Sequence, residues 1–565
     1  MSPERNPRIA FPPAMFLGVL LWASLAARAQ DAPALGPGPL LYRNLCASCH
    51  HPERLGTTAP PLLPLFLRGR SDAELARVIR EGLAATQMPA FPGLSDQDVS
   101  ALVQHMRSPG EVEWNAESTR ASLSPEMKFF PAARPGDLSE LTALVERGRS
   151  RVWVMEGARV LDRFAFRNVH GGVKFDPAGN FFLIPARDGW IGRYDLGRGY
   201  FGSVRACLYL RNIALSRDGK TILAASWLPP GVACLDARTL TLKKWIPVEG
   251  RISAVYELHG RDAAVFTFED RPLLGVLDTQ TLAVIYHPLD EPLEDFFIDP
   301  LERFVVGTSR AGTRLRAVDL KDFQTRFEHR VDGMPHLFSA AFWYDRGDFY
   351  FATPHIGGFI TVWKLYDWAF VNRIDLGGKG FFLRTHGETP YLWADRGDDQ
   401  LVLIDKRDHS LRTLTLSPGK KLLHTEFSGK GEMAYVSVLD RDGALIVVDT
   451  ATLQERARIG ACMPVGKYNF IQKQRCYEPV ELGRQVFMEK CWGCHHPTRQ
   501  AFGPSLRSMA QNRTQAEIWA QILSPQTTHR RLGHPRNAMP RIRLRPEEIV
   551  VLVSYIQEVL RASDH

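Results

Sequence analysis

Apolar and polar positions change rhythm twice along this chain. Between about Pro39 and Arg107 the apolar residues recur at helical spacing. Asp72 to Leu83 reads as a helix, and a second is predicted to begin at Ser95, where Asp98 completes a capping-box-like pattern. Residues 109–137 hold few periodic apolar positions and several Pro and Gly, the texture of a linker. From about 138 to 475 the pattern becomes short apolar runs broken by Asp-Gly, Pro and Gly turns, which predicts strands. Helical spacing then returns in Val480 to Cys494, Gln515 to Leu523 and, with Pro546 in the first turn, Glu547 to Arg561.

The strand-rich stretch repeats. Its recurring apolar positions fall at Leu141, Phe175, Ile213, Val255, Phe297, Phe342, Leu383 and Phe427, in steps of 34, 38, 42, 42, 45, 41 and 44 residues. Several repeats turn just afterwards, as at Asp176-Pro177, Asp299-Pro300 and Ser428-Gly429, and several end a later strand on Asp, as at Asp195, Asp236, Asp319, Asp405 and Asp449. A period near 42 residues with several strands per unit predicts a β-propeller, here with eight blades. A pair of β-sandwiches leaves the even spacing unexplained. The expected organisation is an all-α domain at 30–108, a linker at 109–137, an eight-bladed propeller at 138–475 and a second all-α domain at 476–565.

Residues 1–29 read as an export signal. Arg5 and Arg8 precede a mostly apolar run, and Ala27-Arg28-Ala29 offers small residues at −3 and −1 for cleavage before Gln30. A retained transmembrane anchor needs about 20 unbroken apolar residues, which Pro12, Pro13 and the short run do not provide. The expectation is a periplasmic protein without a membrane span. The formal charge of +8 comes mainly from Arg spread along the chain. Bound carboxylates or an acidic protein partner account for that better than nucleic acid.

Cys46-Ala47-Ser48-Cys49-His50 and Cys491-Trp492-Gly493-Cys494-His495 share one spacing. In C-x-x-C-H two thiols one turn apart reach the two vinyl groups of one porphyrin edge, and the adjacent His comes under the iron. His50 and His495 are the expected proximal ligands. Met88 and Met539, each followed by Pro and each ahead of a final helix, are the expected sixth ligands, although Met106 and Met509 also exist. Structural zinc needs two such pairs folded together, and here they lie at opposite ends of the chain. Two covalently attached haem c groups, one in each all-α cytochrome c domain, are therefore predicted. Of the other cysteines, Cys207 and Cys234 stand alone, and Cys462 and Cys476 either pair or remain buried thiols.

The propeller carries a further resemblance. Val169-His170-Gly171-Gly172-Val173-Lys174-Phe175, with Arg187-Asp188-Gly189-Trp190-Ile191 and Tyr194-Asp195-Leu196, resembles the haem d1 proteins. That family includes cytochrome cd1 nitrite reductases, dihydro-haem d1 dehydrogenases and a related biogenesis propeller. The likeness runs over about 39–475 and is stronger toward the dehydrogenase branch. It implies a non-covalently bound haem d1 or dihydro-haem d1, with His170 as proximal iron ligand rather than a turn histidine. It also implies that His336 in Met-Pro-His and His355 in Thr-Pro-His approach the distal face, and that His424 and Tyr468 line the substrate face. His386, in Arg-Thr-His, matches a distal histidine of the reductases. Arg167, Arg187 and Arg193 are candidates for binding the macrocycle's carboxylates, against an ordinary surface role.

The resemblance implies dehydrogenation of dihydro-haem d1, with His424 as base and Tyr468 and His336 assisting, and electrons leaving through haem c. Reduction of nitrite to nitric oxide is the alternative, and a non-enzymatic electron or haem carrier is the third. Expected partners are a cytochrome c or cupredoxin, and other proteins of haem d1 biogenesis or nitrite reduction. The relatives end after the propeller, so the second cytochrome c domain is a departure.

Overall fold

Turn residues cut the strand-rich region into short segments, and each set of four closes into an antiparallel sheet. A computed structural model describes residues 37–83, 88–124, 134–309, 314–474 and 477–561; the export signal lies outside these. Eight four-stranded sheets form the central body. Seven are built from consecutive strands, beginning with Lys174–Phe175, Tyr209–Leu215, Ile252–Glu257, Asp295–Ile298, Ala341–Asp345, Leu383–Arg384 and Leu422–Phe427. We number these blades 2 to 8.

Blade 1 is composite. Its three outer strands are Leu141–Glu146, Arg151–Glu156 and Arg159–Ala165, and its innermost strand is Pro464–Asn469 from the far end of the propeller. Thr142 pairs with Asn469 and Ala143 with Tyr468. This explains the short first step of the repeat. Leu141 occupies the second strand of its blade, and the innermost position belongs to the segment holding Tyr468. Joining first and last strands closes the ring, so no blade edge is left to splay.

Side chains between blades are almost wholly apolar, with Phe182, Phe266, Trp343, Trp363 and Trp393 among the largest fully buried. Each covers more than 150 Å² as a class, which makes these layers the main source of stability.

The first helical domain contains helices Pro37–Leu45, Ala47–His50, Asp72–Glu81 and Asp96–Arg107. Ser71 with Glu74, and Ser95 with Asp98, form complete capping boxes. Tyr42, Leu75, Ile79, Val99, Leu102 and Met106 make its core. The domain rests on blade 3 by packing Leu55 and Leu63 against Leu208, Tyr209 and Leu228. The segment expected to be only a linker holds a further helix, Ala116–Ala121. Its start is fixed by Asn115, whose side chain accepts from the amides of Glu117 and Ser118, a cap that apolar periodicity does not reveal.

The second helical domain has its main helices at Tyr477–Lys490, Leu506–Asn512, Gln515–Leu523 and Pro546–Arg561. It shares one apolar core with blades 5 and 6: Leu482, Val486 and Phe487 pack with Phe297, Phe351 and Trp363. Polar ties frame that core. Arg303 pairs with Glu547 at 2.5 Å, Arg545 with Asp367 at 2.9 Å, and the Tyr344 hydroxyl donates to Glu548.

Among the described residues no helix is long and apolar enough to cross a membrane. Cys207 and Cys234 are buried free thiols, Cys462 is free and half-buried, and Cys476 lies outside the described residues.

Candidate functional site

The two C-x-x-C-H segments have the same local architecture. Each histidine directs Nδ1 to a carbonyl in the following loop: His50 to Pro60 at 2.7 Å and His495 to Pro504 at 2.8 Å. That bond places the proton on Nδ1 and leaves the Nε2 lone pair for iron. In each pair the second thiol, Cys49 or Cys494, is exposed while the first is half-buried. Met88 and Met539 are half-buried in loops ahead of the last helix of their domains. Met106 is instead buried in its domain core, whereas Met509 and Met539 are both partly buried and both pack against the shared core. The residues fit haem c at both ends.

The propeller axis holds a cavity of about 230 Å³. All eight blades line it, through residues such as Gly172, Asn212, Tyr256, Phe342, His424 and Tyr468. The helix Tyr477–Lys490 lines it too, with Tyr477, Glu478 and Glu481. Single residues from many strands converge here because every inner strand faces the same axis.

His424 owes its position to a backbone distortion. It has φ of +58° in the bulge between Leu423 and Glu426, where the pairing of the inner strand of blade 8 shifts. A non-glycine residue in the left-handed region is uncommon and costs of order 1 kcal/mol. The distortion is held from below by Lys467, a fully buried side chain whose ammonium donates to the carbonyl of His424 and, at 2.8 Å, to Ser437 Oγ. Phe382 lies against the imidazole at 4.7 Å between ring centres. Nδ1 of His424 is buried and has no hydrogen-bond partner. Burial, and then the charges of Lys467, Arg384 and Lys473, hold its pKa well below the ordinary histidine value. The ring is therefore neutral at neutral pH and able to accept a proton. Burial pushes the Tyr468 hydroxyl up to about 12, so it stays protonated.

Gly171 and Gly172 carry the chain from His170 into the cavity wall. Both have positive φ, and a Cβ on Gly171 would meet the Arg211 carbonyl at 3.0 Å. His170 accepts at Nε2 from Arg187 at 2.8 Å, and its Nδ1 is buried without a partner. Burial first, then Arg187, Arg211 and Arg147, depress its pKa strongly. Nε and Nη1 of Arg187, Nε of Arg211 and Nε of Arg384 are likewise buried and unpartnered. Unsatisfied buried donors are costly, and so many in one region match a ligand rich in carboxylates and carbonyls. A haem d1-type macrocycle fits that description.

Arg147, Arg211, Arg384, Lys467 and Lys473 were invisible as site residues in the sequence. Arg147 and Lys467 come from the two ends of the composite blade 1, Arg211 from blade 3, Arg384 from blade 7 and Lys473 from the turn after the last strand, and only ring closure gathers them. Five expected residues sit apart from His424 and Tyr468. Arg193 is buried between blades, stacked on Phe181 at 4.2 Å and bonded to the carbonyl of Arg238. Arg167 is exposed. His355 is buried with both ring nitrogens engaged, Nε2 to Thr361 at 2.8 Å and Nδ1 to the Asp332 carbonyl at 3.1 Å. His386 does line the cavity, beside Tyr477. There Nδ1 accepts from the amide of Glu388 and Nε2 reaches the Gly429 carbonyl. His336 is at the rim, bonded to Asp295 at 2.9 Å and stacked on Phe381; its neighbours Leu337 and Phe338 line the cavity.

Comparison with known proteins agrees with this arrangement. Residues 136–473 match the family described as cytochrome D1 heme domain. Residues 33–106 match the cytochrome c oxidase cbb3-type subunit III family, and residues 480–560 the cytochrome c family. The chain is 37% identical over 482 residues to dihydro-heme d1 dehydrogenase of Pseudomonas aeruginosa, covering 80% of this chain and 97% of that protein. It is 24% identical to protein NirF of Stutzerimonas stutzeri, covering 60% and 92% respectively. A solved structure of dihydro-heme d1 dehydrogenase NirN in complex with DHE matches with TM-score 0.66 at 36% identity, covering 78% of this chain and all of that one. This chain thus belongs to the cytochrome d1 haem-domain family, with a cytochrome c domain on each side of the propeller.

Proposed function

We propose that this protein dehydrogenates dihydro-haem d1 to haem d1 and passes the electrons to its own c-type haems. The observation that carries the reading is the neutral, unpartnered imidazole of His424 facing the same cavity as Tyr468. The similarity to a dihydro-heme d1 dehydrogenase supports it.

The substrate supplies a saturated propionate, which becomes an acrylate by loss of two protons and two electrons. His424 accepts one proton as general base, a role that needs a neutral imidazole within reach. Tyr468, still protonated, orients the side chain by donating its hydroxyl hydrogen. Arg187, Arg211 and Arg147 offer charge-assisted bonds to substrate carboxylates. The Nε2 lone pair of His170 that accepts from Arg187 is the one that suits iron, and carboxylates that draw the guanidinium away free it. C-x-x-C-H at each end attaches one haem, giving two covalent haem c groups per chain. The export signal then places the protein in the periplasm, with a cytochrome c or cupredoxin as electron acceptor.

Nitrite reduction is the second reading, favoured by His386 and by the extra electron input of the second cytochrome c domain; His386 lines the cavity beside Tyr477 with both ring nitrogens engaged, which favours it less than dehydrogenation.

The test is anaerobic single turnover. Oxidised full-length protein mixed with dihydro-haem d1 is expected to form haem d1 with matching growth of the ferrous c-haem spectrum. Rapid nitrite turnover without any dihydro-haem oxidation would falsify the proposal.

A further inference from the structure

The cavity does not end at His424 and Tyr468. Glu478 and Glu481, on the helix that opens the second cytochrome c domain, line it as well, together with Gln472 and Lys473. Lys473 pairs with the fully buried Glu426 at 2.9 Å, and its ammonium lies 5.9 Å from the Tyr468 ring centre. The polar side chains on this part of the wall offer a buried water the partners it needs. Beyond Glu478, Arg484 ties Glu481 at 2.8 Å to Glu388 at 2.6 Å. Glu388 is half exposed, which brings this row of carboxylates to solvent.

We propose that Glu478 is the proton acceptor in this cavity, receiving through bound water the protons released at His424 and Tyr468. This rests on the dehydrogenation reading above. The reaction breaks two C–H bonds and forms one C=C bond. It sends two electrons to two ferric c haems and leaves two protons in a site that His424 alone cannot clear. Each proton moves to the Glu478 carboxylate and then through water to solvent, past the Arg484-linked pair Glu481 and Glu388.

The groups facing Glu478 suit a carboxyl that both takes up and releases protons. Burial pushes it up to about 7, opposed by Lys473 and Arg384 from the propeller and reinforced by Glu481 and Glu426. Tyr477 precedes it on the same helix. An acceptor works best when its pKa lies near the operating pH.

The test uses full-length protein with both c haems. Glu478→Gln is expected to slow single-turnover oxidation roughly tenfold or more. It should also remove the rate change near pH 7, with dihydro-haem d1 affinity and c-haem spectra unchanged. Glu478→Asp should restore part of both. Independently of turnover, infrared difference spectra of the protein without substrate should contain a protonated-carboxyl band that titrates near pH 7 and is missing in Glu478→Gln. An unchanged rate and pH profile in Glu478→Gln, or no titrating band, overturns the assignment while leaving dehydrogenation intact. Wild-type protein that binds dihydro-haem d1 without oxidising it overturns both.

Discussion

At the scale of single residues, the site depends on groups held against their ordinary solution behaviour. His424 is unprotonated because burial, and then Lys467, disfavour its charged form, which leaves a lone pair open to a proton. His424→Ala is expected to lower the single-turnover rate by roughly a hundredfold or more with binding nearly kept. Apart from the change near pH 7 that belongs to Glu478, the fall in rate due to protonation of His424 should come only well below pH 6.5, since its pKa is depressed. Lys467 acts through His424 and is a positioning residue. Burial brings its ammonium down to about 7, and its bonds hold the bulge. Lys467→Met should slow oxidation while leaving both c-haem spectra unchanged, and Lys467→Arg should restore some of the rate; equal rates in wild type and Lys467→Met would show that the bulge holds itself. His170→Ala should abolish the spectrum of a proximally ligated d1 iron and spare both c haems, whose ligands sit in separate cores. An unaltered d1 spectrum would return His170 to the turn.

At the scale of elements, the helix Tyr477–Lys490 belongs to three structures. It contributes to the second cytochrome c domain, shares the apolar core of blades 5 and 6, and lines the axial cavity. Removing everything after residue 476 therefore does more than delete a haem. It uncovers Phe297, Phe351 and Trp363 and opens the end of the cavity. Such a truncation is expected to aggregate or lose cooperativity in thermal unfolding. A milder probe is Phe487→Ala, where loss of a fully buried ring should cost about 3–5 kcal/mol. A change below about 1 kcal/mol, measured by denaturant unfolding, would mean that the domain is only loosely attached. The same reasoning covers Asn115, whose cap holds the short helix against blade 2; Asn115→Ala should cost about 1 kcal/mol.

At the scale of the whole molecule, two haem-binding domains grip different parts of one ring, the first on blade 3 and the second on blades 5 and 6. Mass spectrometry of denatured protein should give two covalent haems per chain, and Cys491→Ala with Cys494→Ala should leave one. Stability should also depend on pH. His355 is held at about 4 by burial, while His170, His386 and His424 are depressed as well. Between about 4 and 6.5 the unfolded chain binds protons that these folded groups refuse, so stability is lost as pH falls through that window. Glu478, raised to about 7, contributes the opposite sign between roughly 4.5 and 7. His105, His287 and His409 are depressed too, and Glu140, Asp188, Asp299 and Asp395 are raised like Glu478; the histidines outnumber the raised carboxyls, which predicts a net fall in denaturation midpoint on acidification, to be read from thermal melts. A flat or rising midpoint from pH 6.5 to 5 would contradict the burial of these rings.

Local chemistry was legible without coordinates. C-x-x-C-H specifies covalent attachment within one turn of helix, and the roughly 42-residue spacing specifies blades, because each blade is one contiguous hairpin pair. Capping pairs such as Ser95 with Asp98 are local too. His424 and Tyr468 were legible only through a family likeness, since nothing in their immediate neighbours marks a bulge or an axis. The tertiary structure decided the rest. It moved the innermost position of the first blade from Leu141 to the strand of Tyr468, because ring closure joins residues more than three hundred positions apart. It separated His386 and His355 from His424, although all three occur in similar short motifs. It gathered Arg147, Arg187, Arg211 and Arg384 from four blades around one cavity. A sequence records which groups a chain carries, but burial and convergence on an axis are properties of the closed ring, and those set which imidazole is free to take a proton.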